Sequence, residues 1–458
     1  MTSQSPTPRL NWSQLLTSQR LGKPTSALSA ADASSRSDFH RDYDRIVFSY
    51  AFRRMARKTQ VHPLARNDHI HNRLIHSIEV ASLGRTMGRR LGEALQSSLS
   101  ESVTPEDLGV ILQAAALAHD IGNPPFGHTG EDAIRDWFRD PTHSIYLEPL
   151  TTQAQRNDFL FFEGNAQGFR ILTTTEKHYG EGGLRLTFPT LGAMLKYPWL
   201  STECPTRSKF GCFTSEQNIL KDVAHNLGLQ PLVGISTDIA WCRHPLSYLL
   251  EAADDMCYRI LDLEDAVELN ILSWADFVQT FRHFVDTDRL LANENNNQPI
   301  KSKMTLLRGR AMDSLLDTIV KTFLHQQDAL LSGELCLPLL SSTTDQATHD
   351  FMNQARLIAE RRIFTHEQKA EIEMGAYSTL DTLLSLFIPA VYECHQKEWN
   401  NISKKTRCAV SLLDEKLVSL CQQRSCQLYE LYLHVLDFIS GMTDDYCIRL
   451  ANQVRGIF

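Results

Sequence analysis

The stretch Thr104-Pro-Glu-Asp-Leu-Gly-Val-Ile-Leu-Gln-Ala-Ala-Ala-Leu-Ala-His-Asp-Ile-Gly-Asn-Pro-Pro-Phe-Gly-His128 decides the fold. Its opening residues are a helix start: Thr104 serves as N-cap, Pro105 takes the first helical position, and Asp107 can return a hydrogen bond to the cap. From Val110 to Ala118 the side chains are apolar nearly all round, so this helix lies inside a core. It ends in an adjacent imidazole and carboxylate, His119-Asp120, with Gly122 where a C-terminal cap glycine belongs. A charged Asp at the end of a buried helix is costly unless it is paired or binds a cation, so the dipeptide points to a cleft.

Outward from this helix the pattern stays helical. Upstream, Tyr43 to about Leu95 reads as helix, with Leu74, Ile78 and Ala81 at helical spacing, and a short helix is expected near Trp12 to Gln19 within a Ser/Thr/Ala-rich, partly mobile lead-in. Downstream, Glu176 to Phe213 is broken by Gly180, Gly182, Gly183, Pro189, Pro198, Pro205 and Gly211; it reads as a long functional connection, and Leu184 to Phe188 allows a short β-hairpin at most. Pro245 opens a helix running to about Ile271. After the polar loop Asn293 to Pro299, helical patterns return at Lys303 to Leu331, His349 to Glu360, Thr365 to Phe387 and Ser411 to Gln453. The expected organisation is an all-α fold with a variable segment over 1–40, a catalytic domain over 41–290 and a C-terminal helical region over 291–458.

With 458 residues, 42% of them hydrophobic, the chain can bury a large core, and its formal net charge of −8 argues against coating nucleic acid through overall positive charge. Ten cysteines without a C-x-x-C pair exclude a zinc ribbon and a thioredoxin-type motif and read as reduced thiols. No run of about 18 apolar residues occurs and the first ten residues lack an apolar signal core, so a cytoplasmic protein with no membrane partner is expected.

Two further residues join His119-Asp120 as candidate ligands. His76 sits on a helix otherwise suited to packing, where an isolated imidazole is more often a core residue than a ligand. In Tyr248-Leu-Leu-Glu-Ala-Ala-Asp-Asp-Met-Cys-Tyr258, helical spacing puts Glu251, Asp255, Arg259 and Asp262 on one polar stripe, read as solvated. Asp254 shares its stripe with Leu250, Cys257, Tyr258 and Leu261, and is read as the buried acid. Two imidazoles and two carboxylates suit a divalent ion such as Mn, Mg, Fe, Co or Ni.

At these residues the chain closely resembles the dGTPase family of the HD superfamily. The shared stretches are Ala51-Phe-Arg-Arg-Met-Ala-Arg-Lys-Thr-Gln-Val61, Asn72-Arg-Leu-Ile-His-Ser-Ile-Glu-Val80, His119-Asp-Ile-Gly-Asn-Pro-Pro-Phe-Gly-His128, Phe162-Glu-Gly-Asn-Ala-Gln167, Leu195-Lys-Tyr197 and Glu251-Ala-Ala-Asp-Asp255, in the family's order. The C-terminal portion matches more loosely: Arg362-Ile-Phe364 and Glu373 are similar to the family, while Ala376 replaces a common glycine.

The resemblance implies an HD-domain helical fold, His76, His119, Asp120 and Asp254 as metal ligands, and His128 with Glu131 as a catalytic pair. It assigns Arg73 to a phosphate, Gln60 to the deoxyribose, Asn165, Lys196, Tyr197 and Lys209 to the surroundings of a triphosphate, and Tyr258 to stacking under the sugar. An i,i+3 spacing puts His128 and Glu131 on one helix face, although Thr129 with Asp132 also fits a capping box. The implied activity is metal-dependent hydrolysis of a dNTP to deoxynucleoside and tripolyphosphate by a homo-oligomer, tetramer or hexamer. Two other activities remain open: HD phosphohydrolysis of a nucleoside monophosphate or signalling nucleotide, and a non-catalytic nucleotide- or single-stranded-DNA-binding regulator. The Arg53, Arg54, Arg57, Lys58 cluster keeps accessory DNA contact in view.

Overall fold

The computed structural model describes residues 9–22, 37–60, 71–176, 182–204, 207–232, 239–287, 289, 299–363, 367–423 and 426–457. Among them the chain is all-helical: no strand forms, and the extended pairings are isolated bridges such as Arg20 with Thr187 and Thr59 with Asn72. Leu184 to Phe188 makes no hairpin. The carbonyls of Leu184 and Arg185 instead accept from the Arg45 guanidinium, and Phe188 starts a helix. Residues 61–70, 177–181, 205–206 and 293–298, with Val61, Gly180, Pro205 and Phe364 of the stretches quoted above, lie outside the described residues.

The organising pair is the helix Arg73–Ala94 packed against Pro105–Ala118. The second begins with the expected reciprocal cap between Thr104 and Asp107. The two backbones touch: a Cβ on Gly88 would lie 2.5 Å from the Leu108 carbonyl oxygen, and one on Gly109 would lie 2.9 Å from that of Arg85. Because the helices run antiparallel, the start of one meets the end of the other, which brings His76 beside His119 with ring centroids 5.4 Å apart.

Several expectations need correction. The region from Tyr43 to Leu95 divides into Asp38–Val47, Tyr50–Arg54 and Arg73–Ala94. Ile78 is not on the packed face: it is 47% exposed and Ile75 is 42% exposed, while Arg73, His76, Ser77, Val80 and Ala81 point inward. The polar members of that face serve a site, so apolar spacing misreads the rotation. Gly122 has no left-handed backbone; it is needed because a Cβ there would lie 2.1 Å from the Gly168 nitrogen of the helix Gly164–Arg170. The N-terminal helix spans only Trp12–Leu15, and Leu10, Trp12, Leu15, Leu16 and Leu21 are buried, so the described part of the lead-in is packed. The long C-terminal pattern breaks into Glu415–Gln423, Leu428–Ser440 and Asp444–Val454.

Buried apolar residues form two clusters. The first takes members from Leu10 to Ile363 and includes the organising pair with Pro245–Glu268 and Ile300–His325. The second joins Phe126 to Phe213 with Ala376 to Ala451, packing His128–Arg139 against Glu367–Gln396. Ala370–Gln396 is long and apolar enough by composition to cross a membrane, and half of its apolar window is buried inside the protein.

Candidate active site

A cavity of about 240 Å³ opens where the two clusters meet: Ala193, Met194 and Leu250 of the first and Phe126 of the second line it. His119 and Asp254 line it, and three donor atoms, theirs and that of His76 just behind, lie within 4.8 Å of one another. His76 Nε2 is 2.9 Å and His119 Nε2 3.5 Å from Asp254 Oδ1. His119 Nδ1 donates to the Ala116 carbonyl at 2.7 Å, which fixes the tautomer and leaves the Nε2 lone pair facing the cluster. That Nε2 is buried and has no hydrogen-bond partner among the described residues. An orphaned imidazole lone pair beside a carboxylate is what a divalent cation would occupy, so these residues fit such an ion.

Asp120 stands beside this trio. Its Oδ1 is 3.6 Å from His119 Nε2, but the carboxylate accepts from Arg73 Nη1 and from Asn123 Nδ2, both at 2.6 Å. The structure therefore brings three of the four expected ligands together and holds the fourth alongside in an ion pair. Burial would lower His119, yet the Asp120 and Asp254 carboxylates outweigh it and hold the imidazole up at about 9. Burial would raise Asp120 and Asp254; Arg73 and His119 reverse this for the first, His119 and His76 for the second, and both carboxyls lie below the usual range. Excess negative charge that recruits a proton is also a setting for a metal ion.

Asp254 reaches the cavity with its side chain 33% exposed, and Asp255 does not line it. The reason given by the sequence needs correction, because the stripe beside Asp254 is not solvated: Glu251 and Asp262 are buried. Glu251 receives Lys196 Nζ at 3.0 Å and Arg243 Nη1 at 2.8 Å, a bridge between helix and connection that no local spacing announces.

His128 opens the helix His128–Arg139, and its Nδ1 lies 2.8 Å from Glu131 Oε2. Glu131 is buried, its other oxygen accepting from the Gly164 N–H at 2.7 Å, whereas the His128 side chain is 73% exposed. Burial would raise Glu131; the hydrogen bond and charge of His128 more than offset this and lower it. Thr129 does not cap the helix. The N-cap is Gly127 at φ 60°, where a Cβ would meet Arg73 Nη2 at 2.5 Å, and Thr129 Oγ1 donates instead to Glu373 at 3.3 Å. Phe126, also left-handed at φ 63°, costs about 1–2 kcal/mol as a non-glycine residue. Its N–H donates to Asp444 Oδ1 at 3.0 Å, and Asp444 also accepts from the Thr59 N–H at 2.8 Å.

The remaining expected residues, Gln60, Arg73, Asn165, Lys196, Tyr197, Lys209 and Tyr258, all line the cavity, while His76 and Glu131 sit behind its wall. Gln60 Oε1 and Arg73 Nε are buried with no hydrogen-bond partner among the described residues, a second mark of a site built for a ligand. Burial pushes the Tyr258 hydroxyl well up, so it stays neutral beside the carboxylates. The basic cluster does not form one surface. Lys58 is buried, donates to the Asn123 carbonyl at 2.7 Å and is lowered to about 7 by that burial; Arg54 and Arg57 lie 3.9 and 3.6 Å from Glu176 and Asp445.

Sequence reasoning missed Asp444, gave Glu163 and Glu373 no role, and read Glu251 as solvated. Glu163 lay inside a quoted stretch without a role, and Asp444 is 385 residues from the threonine it holds, a pairing no motif signals.

Comparison with known proteins identifies the family. Residues 73–181 match the HD domain family. A "deoxyguanosinetriphosphate triphosphohydrolase-like protein" of Pseudomonas aeruginosa is 44% identical, covering 98% of this chain and 99% of its own. One from Synechocystis sp. is 36% identical over 98% of this chain and 100% of its own. A "deoxyguanosinetriphosphate triphosphohydrolase" of Yersinia pestis is 29% identical over 95% and 97%. With near-complete coverage of these relatives, the chain belongs to the dGTPase family of the HD superfamily.

Proposed function

We propose that the chain is a metal-dependent dNTP triphosphohydrolase releasing deoxynucleoside and intact tripolyphosphate. The observation that carries this is one cavity in which the orphaned His119 Nε2, the cations Arg73, Lys196 and Lys209, and the His128–Glu131 pair all converge. A divalent ion such as Mn, Mg, Fe, Co or Ni, held by His76, His119 and Asp254 with Asp120 alongside, would supply Lewis acidity at the α-phosphate. Arg73, hydrogen-bonded to Asp120, presents a planar fork to the same phosphate, while Lys196 and Lys209 hold the distal ones. Gln60 and Tyr258, both lining the cavity, would face the sugar, with the Tyr258 ring under it disfavouring a 2′-hydroxyl. Glu131 orients His128 through Nδ1, so His128 moves a proton at Nε2. Water attacks the α-phosphorus, its P–O bond to the nucleoside 5′-oxygen breaks, and that oxygen leaves with a proton.

In water labelled with heavy oxygen, the label is expected in tripolyphosphate and not in the deoxynucleoside, with dGTP turned over faster than GTP. Orthophosphate or pyrophosphate as first product would shift the reading to a phosphohydrolase of nucleoside monophosphates or signalling nucleotides. Absence of turnover with metal and all four dNTPs present would favour a binding regulator. The same proposal places the protein in the cytoplasm as a homo-oligomer, tetramer or hexamer. In this proposal the accessory single-stranded DNA contact falls to the exposed Arg53 and Arg57 rather than to the buried Lys58.

A further inference from the structure

Behind the phosphate wall lies a carboxyl group that the catalytic scheme leaves unused. Glu163, 1% exposed, precedes the helix Gly164–Arg170. Its Oε1 accepts from Asn165 Nδ2 at 2.8 Å and lies 3.9 Å from Lys209 Nζ; its Oε2 is buried with no hydrogen-bond partner among the described residues. The next residue donates its N–H to Glu131, and a Cβ on Gly164 would lie 2.6 Å from that carboxylate, so the two acids are packed back to back. Lys209 projects from a fixed backbone, its carbonyl accepting from Trp199 Nε1 at 2.7 Å, and its side chain is 39% exposed toward the cavity. A half-satisfied buried carboxylate beside another carboxylate, sharing one half-exposed cation at 3.9 Å, would change charge if that cation were drawn away.

We propose that Glu163 is a positioning residue that couples the polyphosphate end of the cavity to the His128–Glu131 pair: it anchors Asn165 and shares Lys209, and it takes up a proton when a phosphate draws Lys209 forward. This rests on the reading of the cavity as a polyphosphate site. Burial and the Glu131 carboxylate already push Glu163 up to about 7, against Lys209 and Asn165, so small movements of Lys209 act near neutral pH. The other groups facing it are Arg135, on the helix of Glu131, and the Cys204 thiol, which burial and Glu163 push up to about 12 and so keep neutral. Neither can replace Lys209, since Arg135 is occupied with Asp132 at 2.8 Å. Protonation of Glu163 removes a negative charge behind Glu131 at the moment the cavity fills, and so changes the field in which the His128–Glu131 pair works.

The test separates charge from reach with two variants of the full chain. Binding of inorganic tripolyphosphate at about pH 7.5 is followed by calorimetry in two buffers of different ionisation heat, which counts protons taken up; the free ligand's own protonation cancels between proteins. Wild type is expected to take up about half a proton more than Glu163→Gln, while Glu163→Asp, still charged, retains the uptake. In dGTP turnover, Glu163→Asp, too short to anchor Asn165, should raise KM about three- to tenfold with its kcat–pH profile unchanged. Glu163→Gln should displace that profile with KM within about threefold of wild type. Equal proton uptake in wild type and Glu163→Gln would overturn the coupling while leaving the proposed function standing. No tripolyphosphate binding by wild type would overturn both, and Glu163-dependent uptake without dNTP turnover would support the coupling and remove the proposed function.

Discussion

In the first apolar cluster the two imidazoles of the site are brought together by one helix pair, to which the helix Pro245–Glu268 adds Asp254. His76 and His119 are joined because two helices separated by a short turn run antiparallel at backbone contact. In the second cluster the joining parts come from opposite ends of the chain. Arg170 crosses to Asp437 at 3.0 Å and to Glu216 at 2.6 Å, Gln167 reaches the same Asp437 at 2.8 Å, and Asp158 receives the Tyr429 hydroxyl at 2.5 Å. The first cluster also has ionic ties, Glu251 with Lys196 and Arg243 among them, but its two central helices meet through glycines and apolar contact, whereas the distant parts of the second meet through buried ionic and polar ties. On the proposed function the metal end of the cavity belongs to the first and the proton-transfer pair to the second, so turnover would need both in register.

The sharpest break is at the metal end. Asp254→Ala removes the one acid that lies within reach of both imidazoles, and it should abolish bound metal, measured by elemental analysis, with turnover falling by about 1000-fold or more. Asp255→Ala should keep the metal and stay within about tenfold of wild-type kcat, since that carboxyl does not line the cavity. Equal loss of metal in the two variants would show that helix rotation, and with it the account of the first cluster, is wrong.

The same pair shows how much was legible in the sequence. The capping residues Thr104, Pro105 and Asp107 marked the start of the central helix, because these signals lie within one turn, while the choice of Asp254 over Asp255 rested on a stripe read as solvated that is in fact largely buried. The burial of Val110 to Ala118 held, whereas the inferences about exposure on the helices with polar faces failed. The face of Arg73–Ala94 turned inward is polar where it serves the cavity, and the acids of Pro245–Glu268 are buried because arginines and lysines from elsewhere meet them. The seam of two cores was not legible, since its ties span hundreds of residues and hydrophobic period carries no information about them.

The second break is Arg170→Ala, which strands two acids in the second cluster. Removing one partner of a buried ion network typically costs about 3–5 kcal/mol, because the remaining charges lose their compensation. A lower Tm is expected, with metal content per folded molecule unchanged. Arg170→Met, of similar volume, should recover part of the loss in an Asp437→Asn, Glu216→Gln background, where no charge is left stranded. If the single variant instead lost metal in proportion to stability, the two clusters would be one cooperative unit at the site.

The smallest effect sets a titration in the first cluster against one in the second. His244 caps the helix Pro245–Glu268, which carries Asp254: its Nδ1 accepts from the Leu246 N–H at 3.1 Å, and its Nε2 donates to the Leu15 carbonyl at 3.0 Å. Protonation at Nδ1 would destroy that cap, and burial holds the imidazole down at about 4, from 6.5. The unfolded chain therefore binds a proton below about pH 6.5 that the folded chain refuses, so this contribution is complete above that pH and falls away toward about pH 4. Asp437 has the opposite chemistry and a lower window. Burial would raise it, but Arg170 holds it at about 2 against 3.8, so its contribution is present above about pH 4 and is lost as pH falls toward about 2. Between about pH 6.5 and about pH 5, His244 alone of the two loses stability, by about 2 kcal/mol. Replacing it by Asn keeps a cap acceptor and removes the titration, so unfolding followed across this range should show wild type losing ground to His244→Asn as pH falls. A constant difference between the two proteins over that window would mean that the cap is not pH-sensitive, and that acid does not reach the helix of Asp254 by this route.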